Sequence, residues 1–364
     1  MSAQPTPAMI AEWHRREQEL AASEERFGPD HPAVAIANNN LGVTLKNMGE
    51  YAAARPYYER ALAICERAAS DHTTATEQAA IAICLNNLAS LLQDMGEFAA
   101  ARPYYERALA ISEQSTGSGS PTPAEETAIA TNLNNLGMLL KDMGDYAAAR
   151  PYLERALAIH ERVAATDHPT AAEQADVALS LNNLGILLQD TGDYAAALPY
   201  LERALAIHER VFGPEHPATA ASYNNMGRLL KAIGRPASAR PYYERALAID
   251  ANILGPDHPE TAVDCNNLGV LLREMGNYAA ARPYLERALA IRERAFGSDH
   301  PATAESLNNL AVLSYFEGDI PAATGYMRRA LATYEATLGQ DHPNTRMTRE
   351  NLHALESSRM TNDE

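Results

Sequence analysis

The chain has 364 residues and carries 47 acidic against 30 basic side chains, a net charge of −17. A surface that acidic repels phosphate backbones and anionic headgroups, which argues against nucleic acid and membranes as partners. No apolar run approaches the ~18 residues of a membrane span, and the opening residues lack the apolar core of a secretory signal, so a cytoplasmic protein is expected.

In chain order, residues 7–27 read as a lone helix that stops at Gly28-Pro29-Asp30-His31-Pro32. A helix hairpin then recurs seven times over residues 33–338. Its anchor is an Asn-Asn pair followed by an apolar and a small residue, starting at Asn39, Asn86, Asn134, Asn182, Asn224, Asn266 and Asn308, with an echo at Glu350-Asn351-Leu352. A fixed period of this size marks a stacked array, in which each unit packs only on its neighbours, so the length implies no oversized single core. Within the unit 181–217, Leu181, Leu184, Leu188 and the small Gly185 share one face at helical spacing. Gly192 breaks that helix, Asp193 is suited to cap the next, and Ala197, Leu201, Ala204 and Leu205 form the inner face of the second helix. Phe212-Gly213-Pro214 ends it, and His216-Pro217 opens the following helix.

The later anchors are 42 residues apart, whereas the first three intervals are 47, 48 and 48. The extra residues precede the second, third and fourth Asn pairs and predict first helices lengthened by about one and a half turns. Ser115 to Pro123, STGSGSPTP, is expected to be a flexible and protease-sensitive spot, and a change of pitch is expected near residue 210. Proline stands in the second turn of six of the seven second helices (Pro56, Pro103, Pro151, Pro199, Pro241 and Pro283), where it removes a hydrogen bond and favours a bend. The last full repeat is degenerate, with Ser314, Ile320 and Gly325 at otherwise regular positions, and residues 344–360 form a polar capping helix.

The order Leu-Gly, a Leu three residues on, then Gly-x-Tyr, Ala, Leu, Ala resembles the tetratricopeptide repeat (TPR). The NNL(G/A) start, the ERALAI segment and the G(P/S)(D/E)HP loop resemble the 42-residue version found in kinesin light chains and in many bacterial scaffold and regulator proteins. The resemblance spans nearly all of residues 1–364. It implies a single all-α, right-handed α-solenoid of about 16 antiparallel helices whose first helices line a concave surface.

At 100° per residue, the second Asn of each pair points away from the core, as do the residues three and seven places beyond it. These are Asn40, Asn87, Asn135, Asn183, Asn225, Asn267 and Asn309, then Val43, Met138, Ile186, Arg228 and Val270, then Asp94, Asp142, Asp190 and Glu274. A carboxamide carries both donor and acceptors, so a row of them can pair with an extended peptide backbone of any sequence. Apolar neighbours would supply pockets and the acidic ones a charge preference, with Lys46, Lys141, Lys231 and Arg273 on the flank. The first Asn of each pair points toward a neighbouring helix and is expected to fix the stacking. It also stands where carboxylate-clamp TPR domains place lysine, which argues against capture of a terminal carboxylate.

Chemistry-bearing motifs are missing: there is no Gly-rich phosphate loop, GxSxG, HExxH or Cys/His dyad. His31, His168, His216, His258, His300 and His342 recur once per repeat and are expected to serve turns and caps rather than a metal. Cys65, Cys84 and Cys265 lack CxxC spacing and read as structural thiols in a reducing compartment. The expected function is a non-enzymatic scaffold or adaptor, without metal or cofactor, that binds a neutral to basic extended peptide with apolar anchors in the concave groove. A regulatory arm of a larger signalling system and a self-associating structural solenoid are the alternatives.

Overall fold

A computed structural model describes residues 7–69, 74–114 and 120–360. Sixteen helices and no strand occur among them: α1 (Pro7–Phe27), α2 (Pro32–Asn47), α3 (Tyr51–Ala68), α4 (Ala75–Asp94), α5 (Phe98–Gln114), α6 (Pro123–Asp142), α7 (Tyr146–Val163), α8 (Ala171–Asp190), α9 (Tyr194–Phe212), α10 (Pro217–Ala232), α11 (Pro236–Ile253), α12 (Pro259–Glu274), α13 (Tyr278–Phe296), α14 (Pro301–Phe316), α15 (Ile320–Thr337) and α16 (Pro343–Met360). The described residues fall into two compact units, 7–207 and 208–360. The protein is an all-α solenoid. Even-numbered helices are the first helices of the repeats, odd-numbered ones the second.

Each hairpin closes because its apolar residues coincide on facing stripes. In α8, Leu181, Leu184 and Leu188 are buried, and in the facing stretch of α9 so are Ala197, Leu201 and Ala204. The helices approach so closely that any side chain at Gly185 must displace Leu201: a Cβ there would lie 2.6 Å from Leu201 Cδ2. The same holds at Gly42, where it would meet the Tyr58 ring at 2.9 Å. That contact offsets the ~1 kcal/mol a mid-helix glycine costs relative to alanine.

The hairpin turn depends on a left-handed residue. Gly192 has φ of 81°, and beyond it the amide of Asp193 donates to Leu188 O at 2.8 Å. Asp193 Oδ1 in turn accepts from the Ala196 amide at 3.2 Å, capping α9. A Cβ at Gly192 would meet nothing within 4 Å, so its replacement tests conformation alone. Gly192→Ala is expected to lower stability by about 1 kcal/mol in urea unfolding, the cost of a left-handed non-glycine residue; an unchanged midpoint would contradict this.

The lengthened first helices α4, α6 and α8 have 20 residues against 16 in α2, α10, α12 and α14, one turn longer rather than one and a half. Their start also differs from expectation. Thr74, Thr122 and Thr170 are the caps, each in a reciprocal box with Glu77, Glu125 or Glu173. His168, expected to serve a turn or a cap, is therefore not the cap of α8. In the shorter repeats the expectation holds: Nδ1 of His31, His216, His258 and His300 accepts the amide two residues on, and His342 does the same for Asn344. Residues 115–119 of the expected flexible spot lie outside the described residues. The second helices α3, α5, α7, α9, α11 and α13 continue through their prolines.

Candidate binding face on the first helices

What a repeat leaves free depends on what its neighbours consume. The first Asn of a pair is consumed by stacking, as a hydrogen-bond relay. Asn86 Nδ2 donates to Asn132 Oδ1 (2.6 Å), and Asn132 Nδ2 donates to Ser112 Oγ (2.6 Å). Asn134 Nδ2 donates to Ser180 Oγ (2.8 Å), which in turn shares a hydrogen bond with His160 Nδ1 (2.8 Å). Asn39 Nδ2 donates to Cys84 Sγ (3.1 Å), which lies 3.5 Å from Cys65 Sγ. In residues 208–360, Asn224 Nδ2 donates to Asp264 Oδ1, and Asp264 pairs with Asp250. The relay thus joins the first Asn, the residue two places before the next pair, and the residue that follows Ala-Leu-Ala-Ile in the intervening second helix. Burial holds His160 and His208 below the ordinary imidazole value, so both are neutral in these interiors.

The second Asn of each pair is half-exposed in all seven repeats. In residues 7–207 the carboxamides of Asn40, Asn87, Asn135 and Asn183 engage no described neighbour. The other unit differs: Asn267 Nδ2 donates to Asn224 Oδ1 (3.4 Å) and Asn309 Nδ2 to Asn266 Oδ1 (2.8 Å), so these two serve the stacking. Val43 is exposed, whereas Met138, Ile186, Arg228 and Val270 are half-buried beside the asparagines.

Three further residues on the same stripe were not anticipated. Ile36, Ile83 and Leu179 are 63%, 56% and 49% exposed, and each lies three places before the first Asn, seven before the Val43, Ser90 or Ile186 position. Helical spacing puts them beside the free carboxamides. Their signal was an apolar residue on the polar side of the helical wheel. At one end of the stripe, Asn40, Val43 and Asn47 of α2 line a cavity of about 430 Å³ with Met9, Glu12 and Arg16 of α1.

The acidic residues do not stand free. Lys46 Nζ reaches Asp94 at 2.9 Å, Gln93 Nε2 donates to Asp142 at 2.6 Å, and Lys141 Nζ lies 2.9 Å from Asp142 and 3.6 Å from Asp190. Lys231 Nζ reaches Glu274 at 3.2 Å, with Arg273 at 3.9 Å. The flanking cations thus neutralise the row expected to select a basic ligand. Among the described residues, no group of three His, Cys, Asp or Glu side chains is placed to hold a metal, and no helix is long and apolar enough to cross a membrane.

Residues 15–67, 176–252, 234–294 and 263–336 match one tetratricopeptide repeat description, and residues 81–122 and 129–170 match a second. No curated protein matches the chain in sequence. Among solved structures, BtubC (BKLC) from P. vanneervenii is 23% identical with TM-score 0.51, covering 68% of this chain and 90% of its own. The Rap conjugation gene regulator of plasmid pLS20, in complex with the Phr* peptide, is 15% identical with TM-score 0.61, covering 84% and 75%. A Rap protein complexed with competence and sporulation factor is 14% identical with TM-score 0.57, covering 96% and 97%. These neighbours share the fold, and the repeat matches extend over more than half of the sequence. The chain belongs to the tetratricopeptide repeat family.

Proposed function

We propose that the protein is a non-enzymatic scaffold that holds an extended peptide segment of a partner protein against the exposed stripe of α2, α4, α6 and α8, in a reducing, cytoplasmic setting. The observation that carries this reading is the run of unengaged carboxamides, Asn40, Asn87, Asn135 and Asn183, flanked by exposed Ile36, Val43, Ile83 and Leu179. An extended backbone offers donors and acceptors that a carboxamide satisfies together, and the apolar side chains give an occupant places to bury its own. Of the neighbours of the same fold, one is in complex with a peptide and one with competence and sporulation factor.

The ion pairs refine the expected ligand. With Asp94, Asp142 and Asp190 already paired, a cationic side chain gains little by direct contact, although the net charge of −17 still attracts cations at long range. A near-neutral peptide with apolar anchors fits best. A displayed library of random peptides, panned on the wild-type protein, supplies the probe. Selected peptides are expected to bind the Asn135→Ala/Asn183→Ala variant about tenfold or more weakly, as the loss of two or more hydrogen bonds implies. Asn267→Ala/Asn309→Ala should retain them. Equal binding by all three proteins, or no selectable peptide, would overturn the assignment.

A regulatory role is the second reading, since one neighbour of this fold is a gene regulator. It predicts that peptide binding alters hydrogen exchange away from the exposed stripe as well as on it.

A further inference from the structure

Residues at the relay position differ from junction to junction: Ser112 with Asn132, His160 with Ser180, Asp250 with Asp264. Only between the first two hairpins, α2/α3 and α4/α5, are both members sulfur. We propose that Cys65 and Cys84 form a reversible disulfide that ties α3 to α4 and fixes the junction of these hairpins when the cell meets a peroxide.

The two sulfurs are 3.5 Å apart on facing helices, and a bond requires about 2.0 Å. The remaining approach of about 1.5 Å is within reach of a side-chain torsion and a small helix adjustment. The relay also sets the order of reaction. Asn39 Nδ2 donates to Cys84 Sγ, and the two thiols share a hydrogen bond in which either sulfur can donate. That hydrogen bond holds the Cys65 thiol below its ordinary value and pushes Cys84 up. Cys65 is therefore the readier nucleophile. It also lies in the last turn of α3, which ends at Ala68, where fraying admits a small oxidant more readily than a helix interior does.

The chemistry balances with peroxide as the oxidant. The Cys65 thiolate attacks one peroxide oxygen, forming S–O as O–O breaks, and yields a sulfenic acid and water. The Cys84 sulfur then attacks Cys65, forming S–S as S–O breaks, and a second water leaves. The two thiols give up two electrons and two protons, and a dithiol reductant reverses the step. Ile83 and Asn87 flank Cys84 on α4, so the bond would fix how the α4 stripe sits against α2. That consequence for ligand binding rests on the proposed function; formation of the bond does not.

The test treats the full chain with a small excess of hydrogen peroxide. Intact mass is expected to fall by two hydrogens, peptide mapping to give a Cys65–Cys84 linked pair, and dithiothreitol to restore the starting mass. Cys265, buried alone in α12, should stay free and serve as the internal control. Cys84→Ser should fold, since Ser180 and Ser222 occupy the same place in sister repeats, and should give no linked pair. The oxidised protein is expected to melt at a higher temperature than the reduced one. Oxidation of Cys65 to a sulfinic acid without linkage, faster reaction of Cys265, or chain-to-chain cross-links would overturn the proposal. If the disulfide forms but leaves the affinity of library-selected peptides unchanged, the bond stands and only its effect on the stripe is refuted.

Discussion

Gly185→Leu is expected to destabilise the protein by about 3 kcal/mol or more, because the first added carbon already overlaps Leu201 and the rest of the side chain has no space. The gain in helix propensity, ~1 kcal/mol, opposes this and is smaller. Gly185→Ala is the calibrating variant. Ala89 and Ala311 fill the equivalent place in two sister repeats and are fully buried, as Tyr105 and Met327 sixteen residues on are buried. A single methyl should therefore be absorbed by a shift of the Leu201 side chain, leaving stability within about 1 kcal/mol of wild type. Chemical unfolding of the three proteins checks the order. A leucine variant as stable as wild type would mean that the hairpins do not pack at this distance.

The Asp264–Asp250 pair should make the unit 208–360 less stable as pH rises. Both carboxyls are buried, and burial is the largest cause that pushes Asp250 up to about 6 and Asp264 up to about 7, with Glu260 adding repulsion to each. In the unfolded chain both would titrate near the ordinary carboxylate value. Between about pH 4 and about pH 7 the folded form thus holds protons that the unfolded form has released, and stability falls with rising pH across that window. At about 1.4 kcal/mol per unit of displacement, the loss is on the order of 3 kcal/mol after allowance for the shared proton. His208, whose buried ring is held below its ordinary value, acts oppositely by costing stability as pH falls. The difference between wild type and Asp264→Asn is therefore the quantity to measure. The amide keeps an oxygen for Asn224 and a permanent donor for Asp250, so the variant is expected to gain on wild type as pH rises from about 5 to about 8. A parallel pair of profiles would show that the two carboxyls do not share a proton.

How much of this was legible in the sequence follows from what repeats and what varies. The leucines, Gly185 and its counterparts, and the turn glycines recur in register, so the hairpins and their inner faces could be read directly. The caps of the long helices were also within reach: Thr74, Thr122 and Thr170 each precede a glutamate by three places, a capping-box signal overshadowed by the more regular His-Pro. The relay was only half visible. The first Asn could be seen to point at a neighbour, but its partners change from thiol to amide to hydroxyl to carboxyl, and no single pattern announces them. The cations could be placed on the flank, but their pairing with the acidic row was hidden for a geometric reason. Lys46 and Asp94 lie in successive repeats and one helical position out of step, so a wheel drawn on one helix shows the carboxylate without its cation. Ile83 and Leu179 are hard to single out because their place is not apolar in every repeat: Thr131 and Glu305 stand there in two sister repeats.

On the proposed function, the face to probe is the exposed stripe of α2, α4, α6 and α8, with carboxamides and aliphatic side chains rather than charge as the proposed ligand contacts. The most direct test places a photo-cross-linking residue singly at Ile83, Ile186 or Ala206 and irradiates each variant with a library-selected peptide. Ala206 is exposed on α9, a second helix. The account predicts peptide adducts from positions 83 and 186 and none from 206. Labelling chiefly from position 206 would place the ligand on the second helices and contradict it.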